Sequence, residues 1–341
     1  MKQMVNIRDI AKKAGVSPST VSRALNDDSK ISEETRKKIK EIAKRLKYKP
    51  NQAARALITR ETKTIGFLIL KKEKPLVADP FYSIILYSVQ NELHEMGYHL
   101  LYGIIPHGKL NPKKPPRMIQ EERVDGLILA GPDMPKEFIE TIKKTGIPLI
   151  LVDNYSEDID SILADNIRGA YIATKYLIDL GHKNIAFASG PLDHISVYER
   201  WEGYKKALAE ANLEYNPNYM VEEKELTMKT GKHAFQILWK NDPKPTAILS
   251  ANDPMALGVI QCAKDMGIRV PEELSVIGID DIDISSQFDP PLTTVKIFKE
   301  EMGSIAAKRL IDRIKNPNQP PVKIIVSTEL IIRSSTAPLK K

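Results

Sequence analysis

The sequence predicts a small all-α head followed by an α/β body built as two doubly wound lobes. Three observations predict it. Val5 to Asn26 reads as two short helices joined by a tight turn. From Thr64 onward, short apolar strands alternate with amphipathic helices, and the rhythm runs through two cycles. Charge divides the chain at the same place: Met1 to Arg60 holds 16 Lys plus Arg against 6 Asp plus Glu, and the rest holds 35 against 38.

In the head, Ile7, Ile10, Ala11 and Ala14 recur at helical spacing and face one core. Gly15 can take the left-handed conformation that ends a helix. Ser17 caps the next helix, with Pro18 at its first position, where a missing N–H costs nothing. Val21 and Leu25 face inward. Ser19, Thr20, Ser22, Arg23 and Asn26 remain outside, a set able to bond phosphates and base edges. This is a helix-turn-helix. The local excess of positive charge is the footprint of a polyanion-binding module and sets it apart from a plain helical hairpin with a solvated face. Ser32 caps a third helix that runs to about Leu46, with Glu33 and Glu34 in the first turn where the dipole favours acids. Ile39, Ile42, Ala43 and Leu46 pack on the first two helices, and Tyr48-Lys49-Pro50 breaks the third. Asn51 to Thr64 carries little apolar surface and reads as a linker that turns helical only against a partner.

In the body, Thr64–Leu70 is an apolar run suited to a strand buried on both faces. Phe81 to Met96 is helical and ends at Gly97, and YHLLYGII follows as a strand. Leu110 to Pro116, rich in Pro and Lys, is a surface loop. VDGLILAG and IPLILVDN are two more strands, with Pro135 to Thr145 helical between them. The cycle restarts with a helix over Gly169 to Leu180, the strand NIAFASG, a helix over Ser196 to Ala211 and the strand TAILSAN. A helix over Met255 to Met266 and the strand LSVIGIDD complete it. Ligands of such sheets bind beyond the carboxyl ends of the strands. Asp153-Asn154, Asn252-Asp253 and Asp280-Asp281 stand at three such ends. Each pair can be a helix cap; together they favour a polar-ligand site.

Composition is that of an ordinary globular chain, 42% hydrophobic and 28% charged. The single cysteine, Cys262, forms no internal disulfide and fits a reducing compartment as a small buried side chain. No run of eighteen apolar residues and no leader pattern is visible, so the expected location is cytoplasmic, without a membrane span. His182 in LGHKN reads as a helix-end partner. No metal site and no cofactor is expected.

The chain resembles the lactose-repressor (LacI/GalR) family of bacterial transcription regulators over nearly its full length. The resemblance rests on IRDIAKKAGVSPSTVSRALN, PNQAARAL, ADPFYSIILYSV, RVDGLIL, LGHKNIAFASGP, ERWEGYKKAL, ANDPMALGV, SVIGIDD and PPLTTV, in the family's order. It implies a helix-turn-helix domain over residues 1–50, a hinge helix over 51–62 and a periplasmic-binding-protein-like (type I) effector domain over 63–341. The implied first lobe spans about 63–160 and 291–320, the second about 161–290 and 321–341, with crossings near Ser161, Pro291 and Val322. By the resemblance, Pro18, Ser19 and Arg23 read bases in the major groove, and Arg23 suits guanine O6 and N7. Pro18 departs from a side chain that hydrogen-bonds. Thr20, Ser22 and Asn26 hold phosphates, and Ser17 opens the same face. Leu57 matches a wedge that enters the minor groove and bends the duplex, with Ala54 and Arg55 beside it. The implied effector pocket is Asp79, Phe81, Asp153, Arg200, Asn252 and Asp280, a donor and acceptor set suited to sugar hydroxyls. Leu226 stands where some relatives place Trp.

The expected function is therefore a repressor, not an enzyme, that binds a near-palindromic duplex as a homodimer under control of a small effector, a sugar by the carboxylate count. A purine or nucleoside, stacked on Phe81 and Tyr82, or a protein co-regulator are the rival controllers. A sugar-processing enzyme fused to the head lacks the expected G-x-G-x-x-G or G-x-x-x-x-G-K-[ST] loop. A sugar-transport binding protein leaves the first sixty residues unexplained. After Arg333 no terminal heptads follow, which favours a dimer over a tetramer.

Overall fold

The computed structural model describes residues 6–25, 27–46, 48, 61–71, 79–106, 108–132 and 134–339. Asn26, Ala54, Arg55 and Leu57 lie outside the described residues. The chain divides into two compact units, Met1–Thr62 and Lys63–Lys341.

The first unit holds α1 (Ile7–Ala14), α2 (Pro18–Leu25) and α3 (Glu33–Arg45). Asn6 begins α1 with a reciprocal cap: its Oδ1 accepts from the amides of Arg8 and Asp9, and the Asp9 carboxylate accepts from the Asn6 amide. Gly15 ends α1 at φ 73°, the left-handed conformation that its lack of Cβ permits. Ser17 Oγ accepts from the Thr20 amide at 3.1 Å and so starts α2. Ile10, Val21, Ala24 and Ile39 close the core without solvent exposure. Leu25, expected inside, is half-buried, and Ala24 takes the inner position.

The second unit begins with β1 (Thr64–Lys71), α4 (Tyr82–Glu95), β2 (His99–Pro106), α5 (Arg117–Gln120), β3 (Gly126–Ala130), α6 (Lys136–Lys143), β4 (Leu149–Val152) and β5 (Asp160–Ala164). It continues with α7 (Asn166–Asp179), β6 (Ile185–Ser189), α8 (Ile195–Glu210), β7 (Met220–Glu222), α9 (Met228–Leu238), β8 (Ala247–Ser250), α10 (Asp253–Asp265), β9 (Ser275–Asp280), α11 (Asp283–Gln287) and β10 (Thr293–Ile297). The last elements are α12 (Lys299–Lys315), β11 (Lys323–Val326) and β12 (Thr328–Ile331). They form two six-stranded sheets, ordered β11-β5-β4-β3-β1-β2 and β12-β10-β9-β8-β6-β7. All ladders of the first sheet are parallel, and in the second only the β10–β12 pair runs antiparallel. Their central strands, such as Gly126–Ala130 and Ile185–Ser189, are buried throughout, as parallel sheets covered on both faces require.

The chain passes between lobes after β5, after β10 and after β11. The crossings expected near Ser161, Pro291 and Val322 therefore fall later, at Asp165, Phe298 and Ser327. Ser161 lies within β5, and Pro291 and Val322 only precede β10 and β11. A parallel strand hands the chain on from its carboxyl end, so each strand completes its ladder before the crossing begins. Two arginines of α12 fix the last return. Arg309 Nη2 and Arg313 Nε donate to the fully buried Asp160 carboxylate at 3.2 and 2.8 Å, and the Val322 amide donates to the same group at 2.8 Å.

Candidate functional site

Asp153 and Asp280 stand at the carboxyl ends of β4 and β9, one from each lobe, both almost fully buried. Their backbones lie at φ 54° and 127°, conformations that non-glycine residues avoid and that cluster at functional sites. Tyr82, at the start of α4, donates its hydroxyl to Asp153 Oδ2 at 2.6 Å. Arg200, on α8 and 5% exposed, donates from Nη2 to Asp280 Oδ1 at 3.3 Å, from Nε to Asn166 Oδ1 at 2.9 Å and from Nη1 to the Ala251 carbonyl. Asn166 in turn donates to Glu199 Oε2 at 3.1 Å. With Nε, Nη1 and Nη2 each engaged, the guanidinium is held in one orientation.

Burial dominates the acid chemistry here. It pushes the Asp280 carboxyl up to about 7, against the pull of Arg200 and Lys299, and the nearby Asp253 and Asp153 add to the rise. Burial raises Asp153 too, opposed by the Tyr82 hydrogen bond and the Arg200 charge. Phe81 is half-buried beside the same cleft, edge-on to Tyr82 at 5.0 Å between ring centres.

Other expected pocket residues are engaged differently. Asp79 Oδ1 accepts from the amides of Phe81 and Tyr82, both at 2.9 Å, and so starts α4. Asn252 caps α10: its Oδ1 accepts from the Met255 amide at 3.0 Å, and its Nδ2 donates to the Leu226 carbonyl at 3.3 Å. The cap reading of the strand ends thus holds for Asn252, while Asp153 lies near enough to Asp280 for its charge to act on that carboxyl. Asp253 is structural, accepting from Ser285 Oγ at 2.7 Å, Thr294 Oγ1 at 2.5 Å and the Ile282 amide at 3.0 Å. Asp281 pairs with Arg333 at 2.6 Å, and Asn154 ties back to the Gly131 carbonyl at 3.0 Å. Leu226 lies against Gly190, where any Cβ would come within 2.5 Å of it. Sequence reasoning missed Asn166 and Lys299 and gave Tyr82 only a stacking role. A lysine opening a helix directly after a strand, against the dipole rule, was the available signal for Lys299.

His182 closes the end of α7 through its main chain, its amide donating to the Leu177 carbonyl at 3.1 Å after Gly181 at φ 91°. Its ring joins Thr246 Oγ1 at 3.0 Å and the Ala337 carbonyl at 3.1 Å, and burial pushes its pKa down. On the head, Ser17, Pro18, Ser19 and Arg23 are exposed and Thr20 and Ser22 half-buried, all on or beside α2. Among the described residues no cluster of His, Cys, Asp and Glu could hold a metal ion, and no helix is long and apolar enough to cross a membrane.

The descriptor "Bacterial regulatory proteins, lacI family" matches residues 6–51, and "Periplasmic binding protein-like domain" matches residues 174–336. The HTH-type transcriptional repressor PurR of Aliivibrio fischeri (strain MJ11) is 35% identical over 337 residues, covering 97% of this chain and 98% of the relative. The chain belongs to the LacI family. The ribose operon repressor of Haemophilus influenzae is 34% identical and is covered in full, with 99% of this chain aligned. A solved structure of the lac repressor dimer bound to operator and the anti-inducer ONPF superposes with a TM-score of 0.83 at 27% identity, covering 98% of this chain and 100% of that one. This LacI-family protein is a DNA-binding transcription regulator and not an enzyme.

Proposed function

We propose that this protein represses transcription as a homodimer on a near-palindromic operator and is switched by a small sugar held between its lobes. The observation that carries the effector half is the pair of buried carboxylates, Asp153 and Asp280, one at a strand end of each lobe and close enough to act on each other by charge, with Tyr82 and Arg200 bonded to them. A sugar hydroxyl both donates and accepts, so acidic acceptors beside a guanidinium hold it from two sides. The half-buried ring of Phe81 offers a flat apolar surface for the C–H face of a pyranose or furanose. Asp79 shapes the start of α4 beneath Phe81, and Asn252 shapes the wall around Leu226. The name of the Haemophilus relative supports a pentose-sized ligand.

In the head, Pro18, Ser19 and Arg23 read bases, while Ser17, Thr20, Ser22 and Asn26 hold the backbone. Ala54, Arg55 and Leu57 serve the hinge at the minor groove. The structure of the lac repressor dimer on operator supports two heads on two half-sites.

The test uses the full chain. An operator is selected from a random duplex library, and its affinity is then read by fluorescence anisotropy with D-ribose, other mono- and disaccharides, sugar phosphates and purines. One sugar should change operator affinity, and at a hundred times its Kd it should raise stability by about 2.7 kcal/mol. Operator should change the affinity for that sugar by the same factor. A response to a purine alone would overturn the sugar class, and failure to enrich any sequence would overturn the operator reading.

A further inference from the structure

Lys299 is the first residue of α12, where the helix dipole disfavours a cation, yet it is buried to 3% exposure. Its ammonium donates to the Asp280 carbonyl, to the Asp281 carbonyl at 3.1 Å and to the Ile297 carbonyl at 3.3 Å. All three acceptors belong to the second lobe, at the ends of β9 and β10. The helix that carries Lys299 belongs to the first lobe. It packs on α4, where Gly303 lies so close to the Ile85 carbonyl that a Cβ would approach to 2.6 Å. Ser88 Oγ donates to the Glu300 carbonyl at 2.6 Å, and Ser304 Oγ donates to Glu92 at 2.7 Å. The ammonium also lies 6.0 Å from the centre of the Phe81 ring.

We propose that Lys299 is a positioning residue that locks the main chain of Asp280 and Asp281 to the first lobe, so that occupancy of the cleft moves α12 and α4 with it. The backbone at Asp280 and Asp281 has φ values of 127° and 52°, so it needs an external hold. Arg200 supplies one from α8 through the Asp280 side chain, Arg333 another through Asp281, and Lys299 reaches from the first-lobe helix to the main chain. The charged groups that act on the Asp280 carboxyl are Arg200 on α8, Asp253 on α10, Asp153 after β4 and Lys299 on α12. Removing the Lys299 charge leaves two neighbouring acids against one cation.

The experiment compares Lys299→Met, Lys299→Gln and Lys299→Arg, each with and without Asp280→Asn, in the full chain. Urea melts across a pH series isolate the part of the pH dependence that Asp280 carries. In Lys299→Met the upper end of that window should move to higher pH, and Lys299→Arg should bring it back. Lys299→Gln, which keeps donors without charge, serves if the Met variant does not fold, and should show the same upward move. An Asp280 window that stays in place in both uncharged variants overturns the proposal, because a merely structural loss lowers stability at every pH alike.

The functional half rests on the effector reading above and uses D-ribose as the probe. Calorimetry sets the ribose concentration that saturates Lys299→Met, and at saturation the ratio of operator affinities with and without ribose should fall toward one. A full wild-type ratio in that variant overturns the coupling. A wild-type chain that does not bind ribose overturns the pentose assignment instead, and the pH series still decides Lys299.

Discussion

Arg200 and Asp280 define opposite demands on the same few cubic ångströms. Burial disfavours the charged carboxylate and the guanidinium favours it; the outcome, about 7, leaves Asp280 holding its proton far above its ordinary 3.8. The folded chain therefore keeps a proton that the unfolded chain has already released between those two values. The contribution of Asp280 to stability is unpenalised below 3.8 and is lost progressively as pH rises through about 7. Asp280→Asn should flatten that part of the pH–stability profile in urea melts, and a slope unchanged from wild type would assign the proton elsewhere. Arg200→Ala removes the cation that opposes this rise, so the Asp280 window should extend to higher pH in the same melts. The same variant should lose the effector response while keeping operator affinity within a few-fold, as anisotropy with and without ribose would read.

At the scale of elements, close helix contacts hold the second lobe together. Gly231 on α9 faces the Met255 carbonyl of α10, and Gly258 on α10 faces the Met228 carbonyl of α9; a Cβ at either would come within 2.1 Å of backbone oxygen. Backbone cannot swing aside as a side chain can. Gly258→Ala should cost about 1–3 kcal/mol by overpacking, and more if the helices must separate, measured as a lowered urea midpoint at unchanged m-value. In the first lobe, Asp160→Asn should be as damaging as breaking any buried ion pair, about 3–5 kcal/mol, because it removes the charge that Arg309 and Arg313 share and sets an N–H donor against one of them. A loss under 1 kcal/mol in chemical denaturation would show that Asp160 matters little to the last return.

At the scale of the whole molecule, the positive charge is concentrated in the first sixty residues, so operator binding should be steeply salt-dependent and sugar binding not. With each neutralised phosphate adding about 0.9 to the slope of log K against log salt, a shallow slope would count against backbone contacts by the head. Leu57→Ala should weaken operator binding and reduce bending in a gel-shift phasing assay, with sugar binding intact. The layout was legible in the sequence because its strands are continuous apolar runs and its helices carry their caps beside them, as with Ser17 and Gly15. The lobe crossings were less so, since Pro291 and Val322 look like boundaries locally while the ladder beyond them is a long-range pairing. In the cleft, Asp153, Arg200 and Asp280 were visible as polar residues at strand ends and in a matching motif. Lys299 and Asn166 were not, because their partners are main-chain or distant atoms with no spacing signature.

The two final strands have a consequence for how the protein is made. β11 and β12, which complete one sheet each, lie between residues 323 and 331, and the stretch after them seals the base of the second lobe: Ser335 bonds Val276 and Thr293, and Ala337 bonds Ser275 and His182. Neither sheet is whole until residues 323–331 have joined the chain. The head, which precedes both lobes, has its own closed core without those strands. A chain cut short before residue 323 would therefore keep a reader of operators without its means of control.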